Sequence, residues 1–388
     1  MSGFTNVLNK PPRRNSGVPT QPLNQKDLNL TQKNFSFTPI VLFAALIILG
    51  AGCSKNPTAP TDKTSPTGLE AFAQNSRLGR GMNLGNALEA PNEGDWGVVV
   101  KSEYFDLIKN AGFSSVRLPI RWSTHVSANP PYVITTNFLQ RVDWVVEQAL
   151  ARKLAVVINI HHYDEIMNDP AAHKARFLAI WQQLAAHYKN QSGDLFFELL
   201  NEPNGLLTSS LWNQYLQEAI AAIRQTNPGR TLIVGTANWY SITSLNTLEL
   251  PAGDQSLIVA VHYYNPFQFT HQGADWVLGS DAWLGTKWSG TSAEQQAIQR
   301  DFSAAASWGV LHNRPLNIGE FGAYSRADMT SRALWTDFVA RTAEANGMSW
   351  HYWEFIAGFG VYNGTANDWN YPLLYALIPR TSFTLARP

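Results

Sequence analysis

Residues 154–202 read LAVVINIHHYDEIMNDPAAHKARFLAIWQQLAAHYKNQSGDLFFELLNE. The stretch begins with the apolar run 154–162 and ends with a second one, 194–202, and both have the length and composition of buried strands. Between them, residues 173–189 repeat apolar side chains at helical spacing. The order strand, helix, strand predicts parallel strands whose connecting helix packs on the outside of the sheet.

The same alternation continues on both sides of this stretch. Short β-branched or apolar runs occur at eight positions: GRGMNLG (79–85), SSVRLPI (114–120), LAVVINIHH (154–162), DLFFELLNE (194–202), RTLIVGT (230–236), SLIVAVHYY (256–264), PLNIGEFG (315–322) and MSWHYWEF (348–355). Amphipathic stretches separate most of them: 138–153, 173–189, 209–225 and 331–346. This pattern predicts an α/β protein with a (β/α)₈ TIM barrel, and a doubly wound open sheet is the alternative. Polar or aromatic residues end nearly every run, which favours the barrel because its strand ends converge on one mouth.

The composition restricts the classes of function. The 388 residues include 29 Lys and Arg against 29 Asp and Glu, so the net charge is zero and nucleic acid is not an expected partner. One cysteine and 45% hydrophobic residues exclude a disulfide scaffold and a disordered chain. The 14 Trp, 13 Tyr and 19 Phe favour a carbohydrate ligand, because aromatic faces stack on sugar rings. We expect neither a cofactor nor a bound metal.

The N-terminal region is predicted to serve export. The apolar run PIVLFAALIILGAG (39–52) is too short to span a bilayer but fits the hydrophobic part of a signal peptide, which we assign to residues 1–52. Small residues precede Cys53, as in bacterial lipoprotein cleavage sites, so we expect lipidation there; a structural or unused cysteine is the alternative. Residues 53–69 are predicted to form a tether rich in Pro and Thr.

Residues 70–388 are predicted to form one catalytic barrel, since this is an ordinary length for that fold. The export signals predict a cell-surface or outer-membrane lipoprotein of a bacterium, or a secreted protein. Contact with a membrane is expected only through the lipid anchor, and we expect a monomer.

Two glutamates close the fourth and seventh runs. Glu202 lies in LNEP and Glu320 in IGEFG, so both are expected at the barrel mouth. Two carboxylates in one cleft are the minimum for glycoside hydrolysis, and ion pairs at the barrel end are the alternative. Polar and aromatic side chains at other strand ends favour catalysis: Arg117, Asn201, His161, His162, His262, Tyr264 and Trp353.

The segment 265–290 is a long loop rich in aromatic residues, and long loops in compact domains tend to be functional. Four of its side chains are predicted to stand over the mouth, where a sugar can stack on them: His271, Trp276, Trp283 and Trp288. For about half of them, packing of the loop against the barrel is the alternative.

The pair His161 and His162 also has a zinc interpretation, because paired histidines at a strand end can bind the metal. We favour a site without metal. Neighbouring strand residues point to opposite faces, and neither an HxH pattern nor a closing cysteine accompanies the pair.

Glu198 has the same strand parity as Glu202, so its side chain is predicted to point inward one layer below. A buried carboxylate there needs a charge partner, and Arg80 or Arg117 can supply it. We therefore predict structural support for Glu198 and no direct part in the chemistry.

The chain resembles the glycoside hydrolases of family 5, the cellulase family. The resemblance covers nearly all of residues 78–378 and rests on VRLPIRW (116–122), INIHHYDE (158–165), LLNEPNG (199–205), VAVHYYNPF (259–267), NIGEFGAY (317–324) and SWHYWEF (349–355). The segments GMNLGNALEAPNEGDWG, HYYNPFQFTHQGA and WEFIAGFGVY resemble the endoglucanase branch that includes cellulases also acting on mannan. The resemblance implies a retaining endo-β-1,4-glucanase.

It also implies roles for individual residues. Glu202 is the implied acid/base, with a pKa raised by ionised Glu320, and its carboxyl is expected about 5 to 5.5 Å from that of Glu320. Glu320 is the implied nucleophile, which Arg117 keeps charged and Tyr264 supports with a hydrogen bond. Asn201 is implied to hold the sugar 2-hydroxyl.

The resemblance further makes His162 and His262 hydrogen-bond donors to hydroxyls and carboxylates, and Trp353 the floor of the subsite before the scissile bond. The sugar there is expected to meet Asn86, Glu89, His161, His162 and Glu354. We predict that these long or rotatable side chains satisfy either epimer at the 2-hydroxyl, which would allow activity on β-glucan and on mannan.

Two alternatives stay open at this point. One is a β-mannanase, or a dual glucanase and mannanase, that uses the same site. The other belongs to a different class: a surface lipoprotein that binds glycans on a barrel without activity. The presence of both Glu202 and Glu320 argues against it, since a binding module does not need two converging carboxylates.

Overall fold

The computed structural model describes residues 68–379. The predicted signal peptide, Cys53 and the tether up to residue 67 lie outside the described residues. Among residues 68–379, no helix combines the length and the apolar composition that crossing a bilayer requires.

All eight apolar runs form strands of one parallel sheet: β1 (Arg80–Asn83), β2 (Ser115–Leu118), β3 (Ala155–Asn159), β4 (Leu195–Glu198), β5 (Leu232–Gly235), β6 (Leu257–Tyr263), β7 (Leu316–Phe321) and β8 (Ser349–Tyr352). Each strand pairs with the next along the chain, and β8 pairs with β1. The closed sheet confirms the predicted (β/α)₈ barrel and excludes the open sheet. Most strands end before the polar residues of their runs, because those residues leave the ladder to form the mouth.

Helices surround the barrel or lie in its loops: α1 (Gly68–Leu78), α2 (Ser102–Ala111), α3 (Thr136–Ala151), α4 (Asp164–Asn168), α5 (Pro170–His187), α6 (Ser209–Arg224), α7 (Phe267–Thr270), α8 (Ser292–His312), α9 (Met329–Ala345) and α10 (Tyr371–Leu377). The loop after β8 carries a hairpin of β9 (Tyr362–Asn363) and β10 (Asp368–Trp369). Helix α5 begins three residues before its apolar pattern, because Asp169 accepts a hydrogen bond from the Ala172 N–H and Pro170 occupies the first turn.

The alternation of side chains along each strand divides the core in two. In β3, Ala155 and Val157 belong to the cluster inside the barrel, while Val156 and Ile158 belong to the larger cluster between the sheet and the helices. Leu78, the last residue of α1, joins the inner cluster and is fully buried. The barrel interior is therefore packed with side chains, and the space for a ligand lies at its mouth.

The ladder between β6 and β7 is irregular near the mouth. Its register shifts between Val261 and His262, so that His262 lies opposite Glu320. Shifts of this kind re-aim side chains beside active sites. The shift therefore places His262 directly opposite Glu320, whereas a regular ladder would have paired His262 with another residue.

Candidate active site

Glu202 and Glu320 meet at the mouth of the barrel. Glu320 lies within β7, and Glu202 follows β4 in a left-handed backbone conformation with φ of 46°. One carboxylate oxygen of each residue and a ring nitrogen of His262 lie within 4.8 Å of one another. The nearest oxygens of the two carboxyls are therefore closer than the roughly 6.5 to 9.5 Å of inverting glycosidases, which favours the retaining arrangement.

The Arg117 guanidinium ties this centre together. It donates through Nη1 to Glu320 Oε1 at 2.7 Å and to Asn83 Oδ1 at 2.9 Å, and through Nη2 to Asn201 Oδ1 at 2.7 Å. A bidentate pair with Glu198, at 2.6 and 2.8 Å, uses the remaining donors. The buried Arg117 guanidinium thus fixes Glu320, the nucleophile candidate. It also fixes the Asn201 amide and the Glu198 carboxylate, which lies one layer below.

The inward direction predicted for Glu198 is correct, and the residue is 1% exposed. Its charge partner is Arg117, whereas Arg80 binds Glu344 on the outside of the barrel at 2.7 Å. Glu198 is therefore shielded from the mouth by the guanidinium that it anchors.

Glu320 accepts a second hydrogen bond from the Tyr264 hydroxyl, at 2.9 Å. The pKa of Glu320 is raised above its ordinary value, chiefly by burial, and the charge of Arg117 opposes this shift. Donors on both of its oxygens stabilise the ionised form, which a nucleophile needs.

Burial raises the pKa of Glu202 to about 7. The charge of Glu198 raises this pKa further and that of Arg117 lowers it. The predicted cause of this shift, the charge of Glu320, is not the main one, because desolvation is the first cause. At neutral pH a large fraction of Glu202 therefore carries a proton.

His262 connects the two glutamates. Its Nδ1 lies 2.7 Å from Glu202 Oε1 and 3.6 Å from Glu320 Oε2, and burial lowers its pKa to about 4. Its Nε2 is buried without a hydrogen-bond partner, close to Gly319, where a Cβ would sit at 2.8 Å. The tautomer with the proton on Nδ1 fits best, because Nε2 then has no donor to satisfy. In that state neutral His262 donates to Glu202.

Trp353 and the histidine pair form an aromatic group beside Glu320. The His161 ring stacks nearly parallel to Trp353 with centroids 5.8 Å apart, and His162 contacts His161 edge to face at 4.6 Å. The expectation that the two histidines point apart is wrong, because β3 ends at Asn159 and strand alternation stops there. Even so, among residues 68–379 the group with metal-binding geometry is Glu202, His262 and Glu320, and the histidine pair is not part of it.

Glu89 and Glu354 are fully buried beside this group. The Ala87 N–H donates to Glu89 Oε2 at 3.0 Å, the Asn86 N–H donates to Glu89 Oε1, and the Phe359 N–H donates to Glu354 Oε1 at 3.3 Å. Burial raises the pKa of Glu89 to about 7 and that of Glu354 to about 8. These carboxyls are held by the backbone, so the prediction of rotatable side chains is wrong for both.

Some side chains of the loop 265–290 line the mouth, and another packs against the outside of the barrel. His271 packs edge to face on Tyr264 at 4.9 Å, and Trp276 lies edge-on to His271 at 6.4 Å with 56% of its surface exposed. These two residues extend an aromatic wall outward from the nucleophile candidate. Trp288, in contrast, is 2% exposed and packs on Phe338 of α9, so its predicted place over the mouth is wrong. The alternative, packing of the loop, applies to it.

Three residues of the mouth were not predicted from the sequence. Asn83 accepts from Arg117 and was hidden in the apolar run of β1. Trp96 and Trp239 are 40% and 57% exposed, and Trp96 meets His162 edge to face at 5.5 Å. Their signal was a tryptophan in the loop that follows a strand, which composition alone does not separate from a core residue.

A closed parallel barrel with two neighbouring carboxyls at the ends of its fourth and seventh strands defines a glycoside hydrolase of the TIM-barrel class. The model of the family Cellulase (glycosyl hydrolase family 5) matches residues 75–358, and the chain belongs to that family. The match confirms the resemblance stated from the motifs.

Similar proteins of known structure or name are consistent with membership of this family. Crystal structures of Thermotoga maritima Cel5A, one with mannotriose and one with cellobiose, are 55% and 56% identical, with a TM-score of 0.78 for each; both cover 79% of this chain and 100% of Cel5A. Endoglucanase H of Acetivibrio thermocellus is 37% identical over 344 residues, which are 87% of this chain. The chain spans 36% of the length of Endoglucanase H.

Proposed function

We propose that the protein is a retaining endo-β-1,4-glucanase that hydrolyses internal bonds of β-1,4-glucans. The observation that carries the proposal is the pair Glu202 and Glu320, one half-buried and one buried, with one oxygen of each within 4.8 Å of the other. Their surroundings differ: Glu320 accepts from Arg117 and Tyr264, while Glu202, with a pKa of about 7, holds a proton. Membership of the cellulase family and the endoglucanase relatives support the substrate class.

In the first step, an oxygen of ionised Glu320 attacks the anomeric carbon of the sugar above Trp353. The bond from this carbon to the glycosidic oxygen breaks, and the Glu202 proton moves to the leaving oxygen. The product is a glycosyl ester on Glu320. Arg117 and Tyr264 lose an anionic partner as the ester forms, and they hold the carboxylate in line for the attack.

In the second step, Glu202 is ionised and takes a proton from water. The water oxygen attacks the anomeric carbon, the ester bond breaks, and Glu320 leaves as a carboxylate. Two inversions give net retention. The His262 Nδ1–H steadies ionised Glu202 between the steps, and Asn201, fixed by Arg117, is placed to hold the 2-hydroxyl.

The test is hydrolysis of soluble β-glucan with the anomeric product followed by NMR at early times. We expect new reducing ends with the β configuration. An α product would overturn the roles of both glutamates. Binding without hydrolysis would instead favour the alternative of a glycan-binding barrel.

We propose mannan as a second and poorer substrate. The support is the pair of Cel5A structures, which hold mannotriose and cellobiose at 55% and 56% identity to this chain. Because Glu89 and Glu354 are fixed, tolerance of the axial 2-hydroxyl must come from the other side chains of this subsite, from space or from water. We expect His161→Ala and Glu354→Ala to change the ratio of kcat/KM for glucan and mannan. Undetectable hydrolysis of mannan beside rapid hydrolysis of β-glucan would reject this second substrate.

We also propose that residues 1–52 act as a signal peptide, that Cys53 is lipidated, and that the exported protein is held at the cell surface by this anchor. The support is the apolar run before the single cysteine and the Pro- and Thr-rich segment after it.

We propose that the barrel works as a monomer, since one chain supplies every side chain around Glu202 and Glu320 described above. Size-exclusion chromatography with light scattering tests the monomer.

A further inference from the structure

Gly319 precedes Glu320 in β7 and is the residue that the ladder with β6 passes over. Val261 pairs with Ile318 and His262 pairs with Glu320, so Gly319 has no partner in β6. Its φ lies outside the left-handed region, so the backbone conformation does not require glycine. A Cβ at this position, however, would lie 2.8 Å from His262 Nε2 and 3.1 Å from His262 Cδ2, which is closer than van der Waals contact. The missing side chain therefore makes the room that the His262 ring occupies.

The Nε2 edge of the His262 ring is enclosed by groups that offer it no acceptor. The Tyr240 ring lies edge to face against His262, with centroids 4.8 Å apart, and Tyr240 O accepts from the His262 N–H at 3.0 Å. The Tyr240 hydroxyl is directed elsewhere, since it donates to Leu200 O at 2.5 Å. Gly319 O accepts from Asn83 Nδ2 at 3.0 Å. Within the described part of the chain, Nε2 is buried and has no hydrogen-bond partner.

The lack of an acceptor at Nε2 decides where the imidazole proton lies. Burial lowers the pKa of His262 to about 4, so at neutral pH the ring carries one proton. A proton on Nε2 would be a buried donor without an acceptor, which disfavours this tautomer by roughly tenfold or more. A proton on Nδ1 instead points at Glu202 Oε1, 2.7 Å away, with Glu320 Oε2 at 3.6 Å. The neutral ring is therefore a donor to Glu202.

A donor fixed on Oε1 of Glu202 determines which oxygen carries the acid proton. A neutral carboxyl has one O–H, and the oxygen that accepts from an N–H is its carbonyl oxygen. Among residues 68–379 no group donates to Glu202 Oε2, and 21% of this side chain is exposed. The acid proton is thus expected on Oε2, where the leaving oxygen can take it. The other tautomer of His262 would accept the proton at Nδ1 and hold it away from the substrate.

We propose that Gly319 is a positioning residue for acid catalysis. By leaving room for the His262 ring and no acceptor at Nε2, it fixes the Nδ1–H tautomer, and this tautomer directs the proton of Glu202 to the oxygen that faces the substrate. Gly319 acts through His262 and not on the sugar itself. The inference rests on the proposed function, because it concerns the first step given above, and it adds what sets the direction of the proton.

The first experiment determines the tautomer of His262 without turnover. The protein is labelled with ¹⁵N-histidine, and two-bond correlations between ring protons and ring nitrogens distinguish a protonated nitrogen from an unprotonated one. The sequence has nine histidines, and the set of signals lost in His262→Asn assigns residue 262. At neutral pH we expect a protonated Nδ1 and an unprotonated Nε2. A proton on Nε2, or comparable amounts of the two tautomers, would overturn the inference whether or not the protein hydrolyses β-glucan.

The second experiment displaces the ring with Gly319→Ala and compares two leaving groups. Cellohexaose needs protonation of its leaving oxygen, so its kcat/KM should fall roughly 10- to 100-fold when the acid proton is misplaced. Dinitrophenyl β-cellobioside has a leaving group that departs without a proton, so its kcat/KM should fall much less. Gly229→Ala is the matched control and should change neither value, because a Cβ there meets nothing within 4 Å.

The ratio of the two kcat/KM values decides whether Gly319 acts on the acid step. Equal losses on both substrates would mean that Gly319 supports Glu320 or the fold in general, and no loss on either would mean that the ring does not need the space; both results overturn the inference. If circular dichroism shows that Gly319→Ala does not fold, the tautomer measured in the wild type decides. Hydrolysis of β-glucan by the wild type tests the proposed function by itself.

Discussion

Glu202 can act as an acid at neutral pH because desolvation raises its pKa to about 7. Since only the protonated form can give its proton to the leaving oxygen, kcat/KM for β-glucan should be high below this pH and fall as the pH rises through about 7. Glu202→Gln should lower kcat/KM by roughly 10²- to 10⁴-fold and remove this limb of the pH profile.

The control for this prediction lies in the neighbouring buried acids. Glu89 and Glu354 have pKa values of about 7 and about 8, so they titrate in the same range. A limb that persists in Glu202→Gln would assign it to one of them and contradict our assignment.

The proposed roles of Glu320 and Glu202 can be separated by replacing each with alanine and adding azide as a small nucleophile. Glu320→Ala should abolish hydrolysis, and azide should restore turnover of an aryl cellobioside by attacking from the vacated side, giving a glycosyl azide of inverted configuration. Glu202→Ala with azide should give the retained azide, because the ester on Glu320 still forms. Product NMR separates the two, and exchanged stereochemistry would mean that the roles are reversed.

At the scale of elements, Glu202, the proposed acid/base, is held by the turn after β5. Asn238, Trp239 and Tyr240 all have positive φ, between 54° and 63°, which is a costly conformation for non-glycine residues. The turn persists because the buried Tyr240 hydroxyl donates to Leu200 O at 2.5 Å and the Trp239 N–H donates to Pro203 O at 3.3 Å. Both acceptors lie within two residues of Glu202, on either side of it. The loop after β4 is thus fixed by the loop after β5.

The close approach of Tyr240 to β5 gives a stability prediction. A Cβ at Gly235 would collide with the Tyr240 ring, so Gly235→Ala should lower the free energy of unfolding by about 1 to 3 kcal/mol and reduce kcat as the turn shifts. Gly193→Ala is the control, because a Cβ there meets nothing within 4 Å. Urea unfolding monitored by tryptophan fluorescence measures both. Equal stability of the two variants would show that the ring relocates without cost.

At the scale of the whole molecule, the described barrel contains the complete site, and the segment before it is proposed to anchor it. Deletion of residues 1–68 should leave kcat/KM on soluble β-glucan unchanged, because a flexible tether adds no group to the site. In a bacterial host, Cys53→Ser should release active protein from the membrane fraction, with mass spectrometry showing a lipidated Cys53 only in the wild type. Release without any lipid on wild-type Cys53 would refute the anchor and leave export untouched.

Much of this fold could be predicted from the sequence because its signals are local. The apolar runs and the amphipathic stretches between them follow from side-chain periodicity, and all eight runs became strands. The placement of Glu202 and Glu320 at one mouth follows from parallel strands alone, since every strand of such a barrel ends on the same side. The inward direction of Glu198 follows from strand parity in the same way.

The remaining features depended on contacts between distant parts of the chain. Whether Trp288 packs on α9 or stands over the mouth, and whether Glu198 pairs with Arg117 or Arg80, is decided by which surfaces the closed barrel brings together. The pKa of Glu202 depends on burial by loops far away in sequence, so no local pattern reports it. The orientation of His161 and His162 differs from the predicted one because β3 ends before them. The carboxyls of Glu89 and Glu354 are fixed by backbone donors that only the folded loops supply. Periodicity determines which elements form, whereas packing and desolvation determine what their side chains do.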